Sequence, residues 1–196
     1  MSDYITNFTE YSPEGVYGIK CDVVKIAIHG KARSGKSTFA NMIMEILARR
    51  GMFAEEFAFA APLYDIVGFT QQKLGVPVEK NGPLMQETAN GHKRAFGDDV
   101  YARRLRSYMH TGSVVVSDLR HQVELPVCAE MGFTTVRITR NNRHVDRDPG
   151  HISEVDLDNV MMDVLITNDS DLSALRVSAE ALVARLLERE SGISAR

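Results

Sequence analysis

The sequence predicts an α/β domain of three layers, in which a parallel sheet of about five strands lies between two layers of helices. Two patterns predict it. Segments with the character of strands and of helices alternate along the chain, and a glycine-rich loop joins the first strand to the first helix. A length of 196 residues with 44% hydrophobic residues suits one domain with a sizeable core. We assign this domain to residues 23–196 and an irregular arm to residues 1–22.

The first half of the chain contains two predicted strand–helix units. Residues 23–28, apolar except for Lys25, are typical of a buried strand, and residues 37–50 carry apolar side chains at helical spacing before Gly51. A short second strand follows at 54–60, and Pro62 opens a helix that extends to about residue 74.

The second half continues the alternation after a helical region. Residues 75–110 predict helices at 83–89 and 98–110, and 113–117 is the clearest strand because its centre is wholly apolar. The remaining predicted elements are a helix at 124–130, strands at 133–138 and 164–166, and an amphipathic helix at 172–190.

The glycine-rich loop after the first strand has the spacing of a phosphate-binding P-loop: Gly, four residues, Gly, Lys, Ser. Its glycines let backbone N–H groups turn toward an anion, and the helix N-terminus adds partial positive charge. Lys36 can reach the β and γ phosphates, and Ser37 can ligate magnesium. The predicted nucleotide-binding residues of this loop are Gly30, Lys31, Ala32, Arg33, Ser34, Gly35, Lys36, Ser37 and Thr38.

Polar residues follow the other predicted strands, and ligands of parallel sheets bind at the carboxyl ends of the strands. Asp118 closes an apolar strand, so it can hold magnesium through water or take a proton from a hydroxyl; the alternative is that it caps the next helix. Arg120 can clamp a phosphate while Glu124 orients it, or the two form a surface ion pair. Ala61 follows the second strand at the same edge.

Arginines concentrate after the fourth predicted strand in a chain whose net charge is only −3. Arg140, Arg143 and Arg147 lie in a polar segment, about 139–152, which predicts a lid that closes over a transferring phosphoryl group. The alternative is a solvated loop, and Arg137, inside the strand, is the arginine most suited to a structural role.

Arg94 and Asn168 each have two possible roles. Arg94 can meet an acceptor phosphate or serve as an ordinary surface charge. Asn168 can touch an adenine base or cap the final helix. No Cys and His cluster has the spacing of a zinc site.

Composition narrows the class of protein. The small net charge argues against binding a nucleic acid duplex, and no apolar run is long enough to cross a bilayer. Two cysteines without partner-like spacing and an N-terminus without a signal pattern predict a protein of the reducing cytoplasm.

In these motifs and their order, over roughly residues 23–185, the chain resembles the bacteriophage deoxynucleoside monophosphate kinases of the P-loop nucleoside monophosphate kinase superfamily. Tyr64 stands where the relatives often carry a lysine. The segments that carry the resemblance are the P-loop, 59–63, 115–120 with Glu124, 136–140, 151–154 and 166–169.

The resemblance implies a P-loop NTPase fold with an acceptor-binding helical insertion at about 75–110 and a lid after the fourth strand. It implies ATP- and magnesium-dependent transfer to a (deoxy)nucleoside monophosphate, in the cytoplasm of the host cell if the protein is phage-encoded. Ser37 and Asp118 would position Mg²⁺, Arg94 and Arg120 would grip the acceptor, and the lid arginines would close. The expected partners are small nucleotides, with no membrane, and a homodimer is an open alternative to a monomer.

Two other functions stay open on the residues. One is a P-loop kinase that acts on a hydroxyl group, of the dephospho-coenzyme A or sugar-acid type, with Asp118 as the base. The other is a nucleotide-dependent switch ATPase. The second is disfavoured because the segment that starts at Asp118 lacks a switch glycine and 167–170 lacks a guanine-reading motif.

Overall fold

A computed structural model describes residues 23–108, 112–141 and 155–190 of the chain. The arm predicted at 1–22 and most of the predicted lid, including Arg143 and Arg147, lie outside the described residues.

The chain alternates strands and helices, as predicted. The strands are β1 (Lys25–His29), β2 (Ala54–Phe57), β3 (Ser113–Leu119), β4 (Thr134–Thr139) and β5 (Val164–Thr167). The helices are α1 (Lys36–Arg49), α2 (Ala61–Lys73), α3 (Gly82–Phe96), α4 (Arg104–Ser107), α5 (Leu125–Glu130), which a 3₁₀ turn at Gln122–Glu124 precedes, and α6 (Leu172–Glu190).

The five strands form one sheet in the order β2-β3-β1-β4-β5, and every neighbouring pair is parallel. Ile26 of the central strand pairs with Val115 on one side and with Thr134 on the other. The chain leaves β1 toward β2 and β3 and later crosses to β4, so the direction of winding changes at β1. The loop after β1 therefore lies at the switch point, where open α/β sheets bind ligands.

Helices cover both faces of this sheet. On one face α1 and α6 pack over β1 and β4, with Phe39, Ile43 and Leu182 among the buried side chains. On the other face Leu105 of α4, Val127 of α5 and Leu157 pack against Val114 and Val116. The predicted three-layer α/β fold is thus confirmed.

The helical region between β2 and β3 differs from its prediction. The helix predicted at 83–89 extends to Phe96, where Gly97, with φ of 97°, ends it. The helix predicted at 98–110 is wrong over its described part, residues 98–108, of which only Arg104–Ser107 is α-helical. Ala102 and Leu105 are buried against the sheet. These two contacts hold the segment in place, so a continuous apolar helical face is not needed there.

Two strand ends also differ. β2 stops at Phe57 rather than at residue 60, and β3 continues through Leu119, so Asp118 lies inside the strand. The bonds that end β2 early belong to the site described below.

None of the helices in the described ranges is both long and apolar enough to span a bilayer.

Candidate active site

The P-loop is formed as the sequence predicts, between β1 and α1. Gly35, at the N-cap of α1, has φ of 100°, a conformation that glycine adopts at low cost. Gly30 is required for a different reason: a Cβ there would lie 2.5 Å from the Ile138 carbonyl oxygen and 2.6 Å from Ser34 Oγ. The two glycines thus allow a tight loop that leans against the end of β4.

Lys36, the first residue of α1, turns its ammonium group back into this loop. Its Nζ donates to the Gly30 carbonyl at 2.6 Å and to the Lys31 carbonyl at 2.9 Å, and the side chain is 8% exposed. Ser37 and Thr38 follow in the first turn and are exposed. One positive charge and the N-terminus of a helix therefore meet at one point, which suits an anionic oxygen.

A cavity of about 220 Å³ lies beside the P-loop, at the carboxyl ends of β1 and β4. Lys31 and Ser34 line it from the loop, and Thr139 and Arg140 line it from β4 and the residue after it. The predicted convergence of the P-loop with the start of the arginine-bearing segment is therefore observed for Arg140, which is exposed.

His29 also lines this cavity, and the sequence analysis missed it. It is 2% exposed, and its Nδ1 lies 3.1 Å from the Leu119 carbonyl oxygen of β3. Burial lowers the pKa of His29 to about 4, and the charges of Arg137 and Lys36 act in the same direction. The ring is neutral at pH 7, so Nδ1 carries the proton that Leu119 accepts. The sequence feature that could have identified His29 is its position directly before Gly30, the first residue of the P-loop.

Arg137 has the structural role that the sequence suggested. Its Nη2 donates to the carbonyls of Leu157 at 2.6 Å and Val160 at 2.7 Å, so it ties residues 157–160 to β4. Asp158 of the same segment pairs with Lys31 of the P-loop at 2.8 Å. The chain that re-enters the described structure at residue 155 is thus fixed to both the sheet and the loop.

Asp118 faces the loop after β2. Its two carboxylate oxygens accept from the backbone N–H groups of Phe59, at 2.8 Å, and Ala60, at 2.9 Å. These bonds turn the chain away from β3 after Phe57, which explains the short β2. The alternative that Asp118 caps the next helix is wrong, because His121 occupies that N-cap position.

Burial raises the pKa of Asp118, while the two backbone N–H groups and the charge of Arg120 oppose the rise. The Ser37 hydroxyl and the Asp118 carboxylate offer the oxygen donors that Mg²⁺ prefers, and a magnesium ion in a nucleotide site takes its other ligands from phosphate and water. The donor chemistry thus fits the predicted metal. Within the described ranges, no group of three or more His, Cys, Asp or Glu side chains could hold a metal by itself.

Arg104 supports the same loop from the other side, and the sequence analysis missed it as well. Its Nη1 lies 3.4 Å from the carbonyl oxygens of both Ala58 and Phe59, and its guanidinium carbon lies 5.3 Å from the ring centre of Phe57. Arg104 therefore holds the loop through its carbonyl oxygens, and Asp118 holds it through its backbone N–H groups. No local sequence pattern marks such a pairing, because the two residues and the loop come from three elements.

Glu124 is 4% exposed and accepts through Oε2 from the backbone N–H groups of Arg120, at 2.7 Å, and His121, at 2.9 Å. It orients the backbone at Arg120, and its direct contact with a substrate stays a prediction. Burial raises the pKa of Glu124 to about 8 against the opposing effect of these two bonds.

The other predicted acceptor residues lie on the helical side. Ala61 is the exposed first residue of α2, and Arg94 is exposed near the end of α3. Neighbouring Lys93 is close enough to His121 to lower the pKa of that ring, after the larger effect of burial. The end of α3 and the segment after β3 thus approach each other, while the roles of Ala61, Arg94 and Arg120 stay predictions.

Asn168, at the end of β5, reaches the P-loop. Its Nδ2 donates to the Ser34 carbonyl at 2.9 Å, and the side chain is 7% exposed. The alternative that Asn168 caps the final helix is wrong: Asp171 accepts from the Ala174 N–H at 2.9 Å in that place.

The chain is similar to one family of known proteins and to solved structures of low sequence identity. A model of the deoxynucleotide monophosphate kinase family matches residues 88–178. No curated protein matches the chain. Among solved structures, an APS kinase of Mycobacterium tuberculosis in complex with AMPPNP and APS is 16% identical, with 85% of this chain and 99% of that chain covered and a TM-score of 0.46. A gluconokinase from Sinorhizobium meliloti 1021 is 17% identical, with 89% and 99% covered and a TM-score of 0.42.

The family match begins in α3 and ends in α6, so it covers the part of the chain that contains Asp118, Arg120 and Arg140. The P-loop itself, with Lys36 in place, comes before it. The resemblance to the deoxynucleotide monophosphate kinases is therefore confirmed over residues 88–178.

Proposed function

We propose that this protein transfers the γ-phosphoryl group of ATP to a deoxynucleoside monophosphate and gives the diphosphate and ADP. The observation that carries the proposal is the family match over residues 88–178, in a chain whose preceding P-loop holds Lys36 and lies beside a cavity. The P-loop supports a nucleoside triphosphate as donor, and the family supports the acceptor class.

In the proposed reaction, an oxygen of the acceptor's phosphate forms a bond to the γ phosphorus as the bond to the β,γ-bridging oxygen breaks. That acceptor needs no protein base, since the second pKa of a phosphate monoester is about 6 and the group is already an anion near neutral pH. The protein's contribution is positioning and charge stabilisation. Mg²⁺, when bound at Ser37 and Asp118, would neutralise phosphate charge.

In this proposal the arginines bind the phosphate groups of the acceptor and of the group in transfer. Arg120, whose backbone Glu124 fixes, is directed to the acceptor's phosphate together with Arg94. Arg140 reaches the transferring group from the cavity wall, joined by Arg143 and Arg147. Guanidinium groups suit this task because they donate two parallel hydrogen bonds to phosphate oxygens.

A hydroxyl acceptor is the second candidate, and one observation favours it. Asp118 is half-buried with a raised pKa, which brings a carboxylate closer to the range of a general base. Against it, both Asp118 oxygens already hold the loop at residues 59–60, so a base role would have to share them.

The experiment is an acceptor panel with ATP and Mg²⁺, read as ADP release and as product mass. We expect turnover with one or more deoxynucleoside monophosphates and none above background with gluconate, shikimate or dephospho-coenzyme A. Turnover only with a hydroxyl acceptor would replace the proposal by the second candidate. ATP hydrolysis that no acceptor stimulates would favour a switch ATPase.

The setting of this reaction is part of the proposal. We place it in the cytoplasm, with small nucleotides as partners and with neither a nucleic acid duplex nor a membrane. Cys128, a free and buried thiol, is compatible with a reducing compartment. Light scattering of the purified protein would distinguish a monomer from a homodimer.

A further inference from the structure

Asn168 connects two parts of the chain that come from opposite ends of the sequence. Its Nδ2 donates to the carbonyl oxygen of Ser34, 134 positions earlier, and this bond is buried. Its own backbone N–H donates to the Thr139 carbonyl at 2.8 Å, which fixes the residue to the end of β4. The carboxamide is therefore held from behind while it contacts the P-loop.

The fit between Asn168 and the P-loop is close. Gly35 follows Ser34, and a Cβ at Gly35 would collide with Asn168 Nδ2. The carboxamide therefore fills the space that the glycine leaves, beside the residue that begins α1. Ser34 and Asn168 are 1% and 7% exposed, so water does not compete well for this hydrogen bond.

We propose that Asn168 is a positioning residue, which holds the Ser34–Gly35 peptide in the phosphate-binding conformation and does not read the donor's base. This inference rests on the nucleotide-binding part of the proposed function. The NH₂ group that would have to recognise an adenine acceptor atom is directed to Ser34 and buried. Loss of Asn168 should therefore weaken the grip on phosphates, whatever base the nucleotide carries.

The test is the binding of ATP and of GTP to wild type and to Asn168→Ala, by titration calorimetry with Mg²⁺. We expect the variant to bind both nucleotides about tenfold or more weakly, because a buried carbonyl loses its partner, and the ratio of the two dissociation constants to stay unchanged. A loss confined to ATP would show that Asn168 reads adenine and would overturn the inference. Unchanged binding of both nucleotides would overturn it as well.

Asp171→Ala is the matched control, since it removes a polar side chain three residues away and affects only the start of α6. It should lower stability and leave both dissociation constants unchanged. If Asn168→Ala does not fold, Asn168→Asp keeps the size of the side chain but places an oxygen against the Ser34 carbonyl. The same two predictions then apply to Asn168→Asp.

A second measurement does not depend on nucleotide. Hydrogen exchange of the free protein should show faster exchange of the amides of residues 34–39 in the Asn168 variant than in Asp171→Ala. Equal exchange would overturn the inference even if the wild type bound neither nucleotide. If the wild type bound neither nucleotide, the proposed function would be wrong, and the hydrogen-exchange measurement would still test the role of Asn168.

Discussion

Lys36 carries the largest share of the proposed chemistry at the scale of single residues. Its ammonium group is held by two carbonyls of the P-loop and contributes charge rather than apolar contact. We expect Lys36→Ala to abolish phosphoryl transfer, with a loss on the order of 100-fold or more, and to leave the circular dichroism spectrum unchanged. The measurement is turnover in the acceptor panel.

Lys25→Ala is the control for that variant, because Lys25 lies at the other end of β1 and donates to the Met131 carbonyl at 3.0 Å. It should keep most of its turnover. Near-normal turnover in Lys36→Ala would remove the P-loop from the mechanism, and loss of the folded spectrum would make Lys36 a structural residue.

Glu124 leads to a prediction about pH. Burial raises its pKa from 4.5 to about 8, so the folded protein favours the protonated carboxyl and folding takes up a proton. The stability contributed by this proton is fully present below about pH 4.5 and is lost as the pH rises to 8. We expect the free energy of unfolding to fall by up to about 1 kcal/mol per pH unit in this window.

Glu124→Gln isolates the contribution of the carboxyl group. The amide oxygen can still accept from the backbone at Arg120 and His121, but it does not titrate. Urea denaturation at pH 5, 6.5 and 8 should give a smaller decline for the variant than for the wild type. Parallel declines would mean that Glu124 is ionised in the folded protein throughout this range.

Arg137 acts at the scale of elements, since its side chain joins β4 to residues 157–160. Replacing it by Met keeps an apolar stem and leaves the carbonyls of Leu157 and Val160 without their charged donor. We expect a loss of about 2 kcal/mol in the free energy of unfolding, as measured in urea. Lysine should restore little, because one ammonium group cannot reproduce the planar guanidinium.

Arg103→Met is the comparison for that loss. Arg103 is exposed and pairs with Asp99 four residues earlier at 3.3 Å, an arrangement worth only about 0.3–0.5 kcal/mol. If Arg137→Met lowered the free energy of unfolding no more than Arg103→Met does, the hydrogen bonds between Arg137 and residues 157–160 would not contribute to stability.

For the molecule as a whole, nucleotide binding should be visible as a rise in the thermal unfolding midpoint. A ligand at 100 times its dissociation constant stabilises by about 2.7 kcal/mol, which for a domain of this size is on the order of 5 °C or more. We expect this shift with ATP and Mg²⁺ and a much smaller one with adenosine, because the P-loop and Lys36 are suited to bind phosphate.

The same scan with Lys36→Ala provides the control at this scale, and its shift with ATP should be small. An equal shift with adenosine would mean that the base, rather than the phosphates, supplies the binding free energy. That result would also count against the inference that residues at the carboxyl end of β5 serve the P-loop.

Some of this architecture could be predicted from the sequence because its signals are local. The apolar run of β3, the apolar spacing of α6 and the glycines around Ser34 each depend on a few consecutive residues, and all three predictions hold in the structure. Parallel order follows from alternation, since a strand that returns through a helix must run in the same direction. Because the carboxyl ends of parallel strands lie at one edge of the sheet, the sequence also predicted that Arg140 lies near the P-loop, as the structure shows.

Only the tertiary structure decided which partner each polar side chain takes. Asp118 holds the amides of residues 59–60, Glu124 holds the backbone of Arg120, and Asn168 holds Ser34. Each carboxylate or amide had a local alternative, a helix cap or an ion pair. The choice depends on which buried backbone groups the folded sheet brings within hydrogen-bond distance, because such groups cannot be left without a partner, and no short stretch of sequence contains that information.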